Sequence, residues 1–187
     1  MGDPLKIPVS RGTNWTDLRF PITSTKVGGT KDPTFTKVGD NGAGSQGVFT
    51  YSFSQNQEQE LYFVAQMPHS WLIGTDLDCH VHWGASDAGA GGVVWGLEYV
   101  AAAIDGDLST TTIVTNAATA SGTAKQNQYF DLAMIDTTGW ELSQLFLCRV
   151  FRDVADGADD YGSGAFLYEI DFHFQQDSLG SQEEFLK

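Results

Sequence analysis

From residue 48 onward the chain is written in a two-residue rhythm. Phe49, Tyr51 and Phe53 alternate with Thr50 and Ser52, and Leu61, Phe63, Ala65 and Met67 alternate with Tyr62, Val64 and Gln66. Successive side chains of an extended strand point to opposite faces, so this alternation belongs to half-buried strands and not to helices. Eight such segments, separated by turn-forming residues, lie at about 48–53, 60–67, 76–83, 93–103, 109–115, 127–134, 144–152 and 165–175. Trp95, Leu97 and Tyr99 share one face, as do Phe166, Tyr168, Ile170, Phe172 and Phe174. The run from Leu145 to Phe151 is apolar at nearly every position, which suits a central strand covered on both sides. Only Asp136 to Ser143 suits a helical turn, with Asp136 or Thr137 as its N-cap. Short, regularly spaced strands with almost no helix predict an all-β sandwich or barrel, and eight of them suit a jelly roll; an immunoglobulin-like or other Greek-key sandwich stays open.

Residues 1–47 lack a sustained period and hold four of the five prolines. They read as an irregular N-terminal arm before a single domain at 48–187, and a chain of 187 residues buries enough surface to fold as one domain without staples. Within the arm, Trp15, Leu18, Phe20 and Ile22 are too apolar to stay in water and are expected to dock on this subunit or on a neighbour. Deleting residues 1–22 is expected to leave the domain folded and to weaken assembly. Gly42, Gly44 and Gly47 spell G-x-G-x-x-G, but the motif should follow a strand and open a helix, whereas here it leads into the strand pattern of 48–53.

The net charge is −14, with only ten Lys and Arg spread along the chain, which argues against binding nucleic acid or an anionic membrane. No apolar run is long enough to span a bilayer, and the first residues lack a secretory h-region, so synthesis in a cytosol is expected. Cys79 and Cys148, both inside strand patterns, are then expected to be buried free thiols.

Chemistry-bearing residues concentrate between Pro68 and Trp83. Leu77, Cys79, Val81 and Trp83 form one strand face; Asp76, Asp78, His80 and His82 form the other. His80 and His82 project the same way about 7 Å apart. The last strand offers Glu169, Asp171, His173 and Gln175 on one face. If the two strands are neighbours, His80, His82, His173 and Asp171 are the set that would hold a metal, but the spacing is no specific metal signature and such rows more commonly face solvent or a subunit. The expectation is therefore an interface and no cofactor. Four carboxylates in Asp153 to Asp160 are a candidate calcium loop, but the EF-hand spacing is absent and acidic turns are abundant in a chain this negative. Neither G-x-S-x-G nor H-E-x-x-H occurs, and no enzyme activity is expected.

Several blocks of the chain resemble a family of small proteins of tailed bacteriophages. They are Trp15-Thr-Asp-Leu-Arg-Phe-Pro21, Ala65-Gln-Met-Pro-His-Ser-Trp71, His80-Val-His-Trp83, Arg149-Val-Phe-Arg-Asp153 and the stretch from Glu169 to Phe185. The resemblance covers about residues 15–187 and implies a virion structural component made in the host cytoplasm, without choosing between head and tail. Joined to the sandwich reading, it leads to the expectation of a homotrimeric capsid decoration or cement protein contacting the major capsid protein or other virion proteins. Trp15, Leu18, Phe20, His80, His82 and His173 are its expected interface residues. The alternatives are a tail or fibre module stacking sugars on Trp71, Trp95, Trp140 or Tyr161, and, more remotely, a metal-dependent β-barrel enzyme.

Overall fold

A computed structural model describes residues 14–181 and 183. Residues 1–13, the first part of the expected arm, lie outside the described residues. Among the described residues ten strands form: β1 (Asn14–Pro21), β2 (Thr34–Gly39), β3 (Val48–Phe53), β4 (Gln59–Gln66), β5 (Leu77–Ala85), β6 (Gly92–Ala102), β7 (Thr112–Thr119), β8 (Gln128–Ile135), β9 (Leu145–Arg152) and β10 (Ala165–Gln176).

The strands make two antiparallel sheets. One runs β2-β3-β10-β5-β8 with β1 also paired to β10; the other runs β4-β9-β6-β7. Within β3–β10 the pairs β3/β10, β4/β9, β5/β8 and β6/β7 are the rungs of one long antiparallel hairpin. Rolling that hairpin brings β10 beside β5 and β9 beside β6, which is jelly-roll order. The fold class expected from the two-residue rhythm is therefore the one observed.

The core lies between the sheets and is aromatic. Trp95 meets Phe53 and Trp83 edge-on at centroid distances of 5.2 and 6.2 Å, and Phe146 meets Phe172 at 5.3 Å. All five rings are fully buried. Leu77, Cys79, Val81 and Trp83 point inward as the alternation predicts. Cys79 and Cys148 are free and buried, and burial pushes both thiols up from the ordinary range, so neither has the character of a nucleophile.

Several expectations need correction. The stretch up to residue 47 is not an irregular arm throughout, since β1 pairs with β10 over eight residues and β2 pairs with β3. β10 is twelve residues long, and β3 covers only its beginning, at Ala165–Leu167, so the rest of that edge is free for β1. Past β1, Ile22 is buried and Lys26 exchanges two backbone hydrogen bonds with Tyr62 of β4, which ties one sheet to the other. The residues from Asp136 to Ser143 form turns, and the one helical turn among the described residues is Ile22–Ser24. On β10 a bulge between Leu167 and Glu169 inserts Tyr168 and reverses the phase. Ile170, Phe172 and Phe174 face inward, while Phe166 and Tyr168 do not share their side. β9 is central in its sheet as expected, but Leu147 on its outer side stays exposed. Only near its end is the outer side covered, where the Phe151 ring lies where a Cβ on Gly96 would sit, under the Arg149 guanidinium at 4.1 Å.

Candidate functional site

The outer face of the six-stranded sheet carries the polar rows. β5 and β10, whose adjacency was open at the level of sequence, are hydrogen-bonded neighbours, with His82 opposite Glu169, His80 opposite Asp171 and Asp78 opposite His173. On the far side of β10, β1 sets Arg19 opposite Asp171 and Asp17 opposite His173. Beyond β5, a bulge at Leu132 brings Asp131 opposite His80 and Tyr129 opposite His82. Side chains of these four strands, joined by Val38 of β2 and by Lys125 and Asn127 from the loop before β8, line one groove of about 710 Å³.

At its floor, Asp171 Oδ2 lies 3.2 Å from His80 Nε2 and 3.3 Å from His82 Nε2. His80 is 1% exposed, unusual for an outward strand position, because the rings of His173 and Tyr129 cover it at centroid distances of 4.2 and 4.7 Å. Two buried polar atoms here lack hydrogen-bond partners, His80 Nδ1 and Asp171 Oδ1. Arg19 Nε lies 4.0 Å from Asp171 Oδ1, and Arg19 itself makes a two-pronged pair with Glu169 at 2.8 and 2.7 Å. His82 Nδ1 donates to Asn127 Oδ1 at 3.3 Å, and His173 Nε2 sits 2.9 Å from Asp17. Tyr129 donates its hydroxyl to Asp131, and burial followed by that bond pushes the phenol up. The Asp78 carboxyl is also raised, first by burial and then by Asp131, against the opposing pull of His80 and His173.

The expected site residues therefore divide. His80, His82, His173 and Asp171 meet in the groove. Leu18 and Phe20 turn the other way, and Phe20 packs inside this subunit at 4.9 Å from Phe63 and 5.9 Å from Phe172. Trp15 remains 52% exposed at the start of β1. Arg19, Asp17, Tyr129, Asp131, Lys125 and Asn127 were not anticipated. Tyr129 and Asp131 stood in an alternating pattern that signalled a strand; the others carried no signal because their places depend on long-range pairing.

Two lesser alternatives concern other parts of the chain. The acidic loop is committed to protein partners: Asp159 pairs with buried Arg152 at 2.7 Å, and Asp153, Asp156 and Asp160 each accept a backbone N–H. Of the aromatics suggested for sugar stacking, Trp71, Trp95 and Tyr161 are buried in the core and present no face; Trp140 is half-buried against Phe146 and Tyr99.

Chemically, the groove floor gathers two imidazole nitrogens and a carboxylate whose ligand atoms all lie within 4.8 Å of one another. Such a set can hold a divalent cation. No family model matches the chain, and no curated protein matches it. Among solved structures, it is similar to TmCBM61 in complex with β-1,4-galactotriose, at 11% identity over 88% of each chain and a TM-score of 0.34. It is also similar to a chain of infectious bursal disease virus Gx strain, at 12% identity over 81% of this chain and 42% of that one, with a TM-score of 0.28. At TM-scores this low, neither likeness says what this chain binds.

Proposed function

We propose that this chain is a structural protein of a tailed-bacteriophage virion, decorating the head as a closed homo-oligomer, with a trimer as the expected symmetry. The observation that carries the assembly part is an uncovered inward face. The six-stranded sheet is wider than the four-stranded one, and β2 lies at its margin. Phe35 pairs with Tyr51, and Phe49 is in phase with Tyr51 and the buried Phe53, so both have the inward orientation. Both are nevertheless open to water, at 53% and 41% exposure, with their rings stacked at 5.5 Å. Apolar rings in the core phase of a strand, left without a second layer, are what a subunit contact would cover. The family resemblance of the sequence blocks supports the virion setting.

The double variant Phe35→Ser/Phe49→Ser is expected to remain folded and to melt cooperatively, because both rings lie outside the subunit's own core, with its midpoint lowered only by the loss of assembly. It is expected to sediment as a monomer and to bind phage heads at least tenfold more weakly than wild type. A wild-type protein that is itself monomeric, or a variant that binds heads as well as wild type, would refute the assignment of this face.

A further inference from the structure

We infer that the groove floor is a binding site for one first-row divalent transition-metal ion, held by His80 Nε2, His82 Nε2 and the Asp171 carboxylate. This goes beyond the expectation of a chain without cofactor and stands apart from the virion reading.

The donor geometry is the first support. An ion at about 2.0–2.2 Å from each donor keeps neighbouring donor atoms about 3 Å apart. Asp171 Oδ2 stands 3.2 and 3.3 Å from the two imidazole nitrogens and all three donor atoms lie within 4.8 Å of one another, so one ion reaches them once the two rings close toward each other. The second support is the outer contact: His82 Nδ1 faces Asn127 Oδ1 at 3.3 Å, which turns Nε2 toward Asp171, and a hydrogen bond of this kind is how proteins orient a ligating imidazole. The third is the unpartnered Oδ1 of Asp171, on a residue only 4% exposed. A carboxylate buried with an open oxygen gains from a cation that either oxygen can reach.

Two imidazoles select zinc, cobalt, nickel or iron over calcium and magnesium, which favour oxygen ligands. Three protein donors leave coordination positions open toward the groove. His173 is not counted as a ligand because its Nε2 is turned to Asp17. The ion would cross-link β5 to β10, the central pair of the larger sheet.

The test uses the full chain without a histidine tag, stripped with chelator and titrated with Co(II) and then Zn(II). Wild type is expected to take up one equivalent, to show visible ligand-field bands with Co(II) and to melt at a higher temperature with metal, reversibly on adding chelator. His82→Ala and Asp171→Asn are expected to weaken binding at least tenfold, while His69→Ala, whose ring lies between Ser143 and Ser181, binds as wild type does. Wild-type uptake no greater than that of His82→Ala would overturn the proposal. His82 is the most exposed of the three ligands, at 28%, so its removal reads out binding even if Asp171→Asn fails to fold.

Discussion

Replacing Arg152 with methionine is expected to cost about 3–5 kcal/mol, the usual penalty for breaking a buried ion pair from one side. Arg152 is the last residue of β9 and takes the inward phase of Phe146, Cys148 and Val150, so its guanidinium enters the rim of the sandwich with no exposure. It binds Asp159 through Nε and Nη2, and donates to the carbonyls of Phe53, Ser163 and Tyr161. Asp159 in turn accepts the N–H of Val94. One side chain therefore holds together β3, β6 and the loop after β9. Methionine fills much of the volume but leaves a buried carboxylate and three carbonyls without their donor. Urea denaturation measures the loss. Adding Asp159→Asn to Arg152→Met should recover part of it, because the stranded charge is gone, yet the orphaned carbonyls remain. A single variant within about 1 kcal/mol of wild type would show that this pair is not what fastens the loop.

Removing residues 1–22 is expected to destabilise the domain by on the order of 5 kcal/mol, the scale of burying Phe20 and Ile22 together with restoring a sheet edge. That is comparable with the whole stability of many domains, so the product is expected to be largely unfolded or aggregated at 37 °C. The loss has two sources. Phe20 no longer covers Phe63 and Phe172, and β10 from Glu169 to Gln176 loses its partner strand. A deletion of residues 1–13 leaves β1 in place and supplies the baseline for thermal melting. A folded 23–187 protein with an unchanged midpoint would restore the picture of a detachable arm.

The fold was legible in the sequence wherever one strand face met the core without interruption. Leu61, Phe63 and Ala65 on β4, and Leu77 to Trp83 on β5, declare their burial through spacing alone. β1 was not legible, although Thr16, Leu18 and Phe20 alternate with Asp17 and Arg19, because its partner lies some 150 residues away and Pro21 ends it early. The bulge at Tyr168 was hidden for a different reason: one extra residue reverses a strand's phase without changing its composition. The histidine face was visible as a row, but its convergence on Asp171 depends on the pairing of β5 with β10, which arises only when the long hairpin rolls up. Arg152 carried no signal, since an arginine at the end of an apolar strand reads as its exit into water, whereas here the loop that follows folds back over it.

A residue-resolution map of virions from the phage that encodes this chain tests the central proposal most directly. The expected result is a symmetric cluster of ten-stranded sandwiches on the head lattice, with Phe35 and Phe49 covered by an adjoining subunit. Absence of the chain from purified virions, or density for it only at the tail tip, would contradict the proposal.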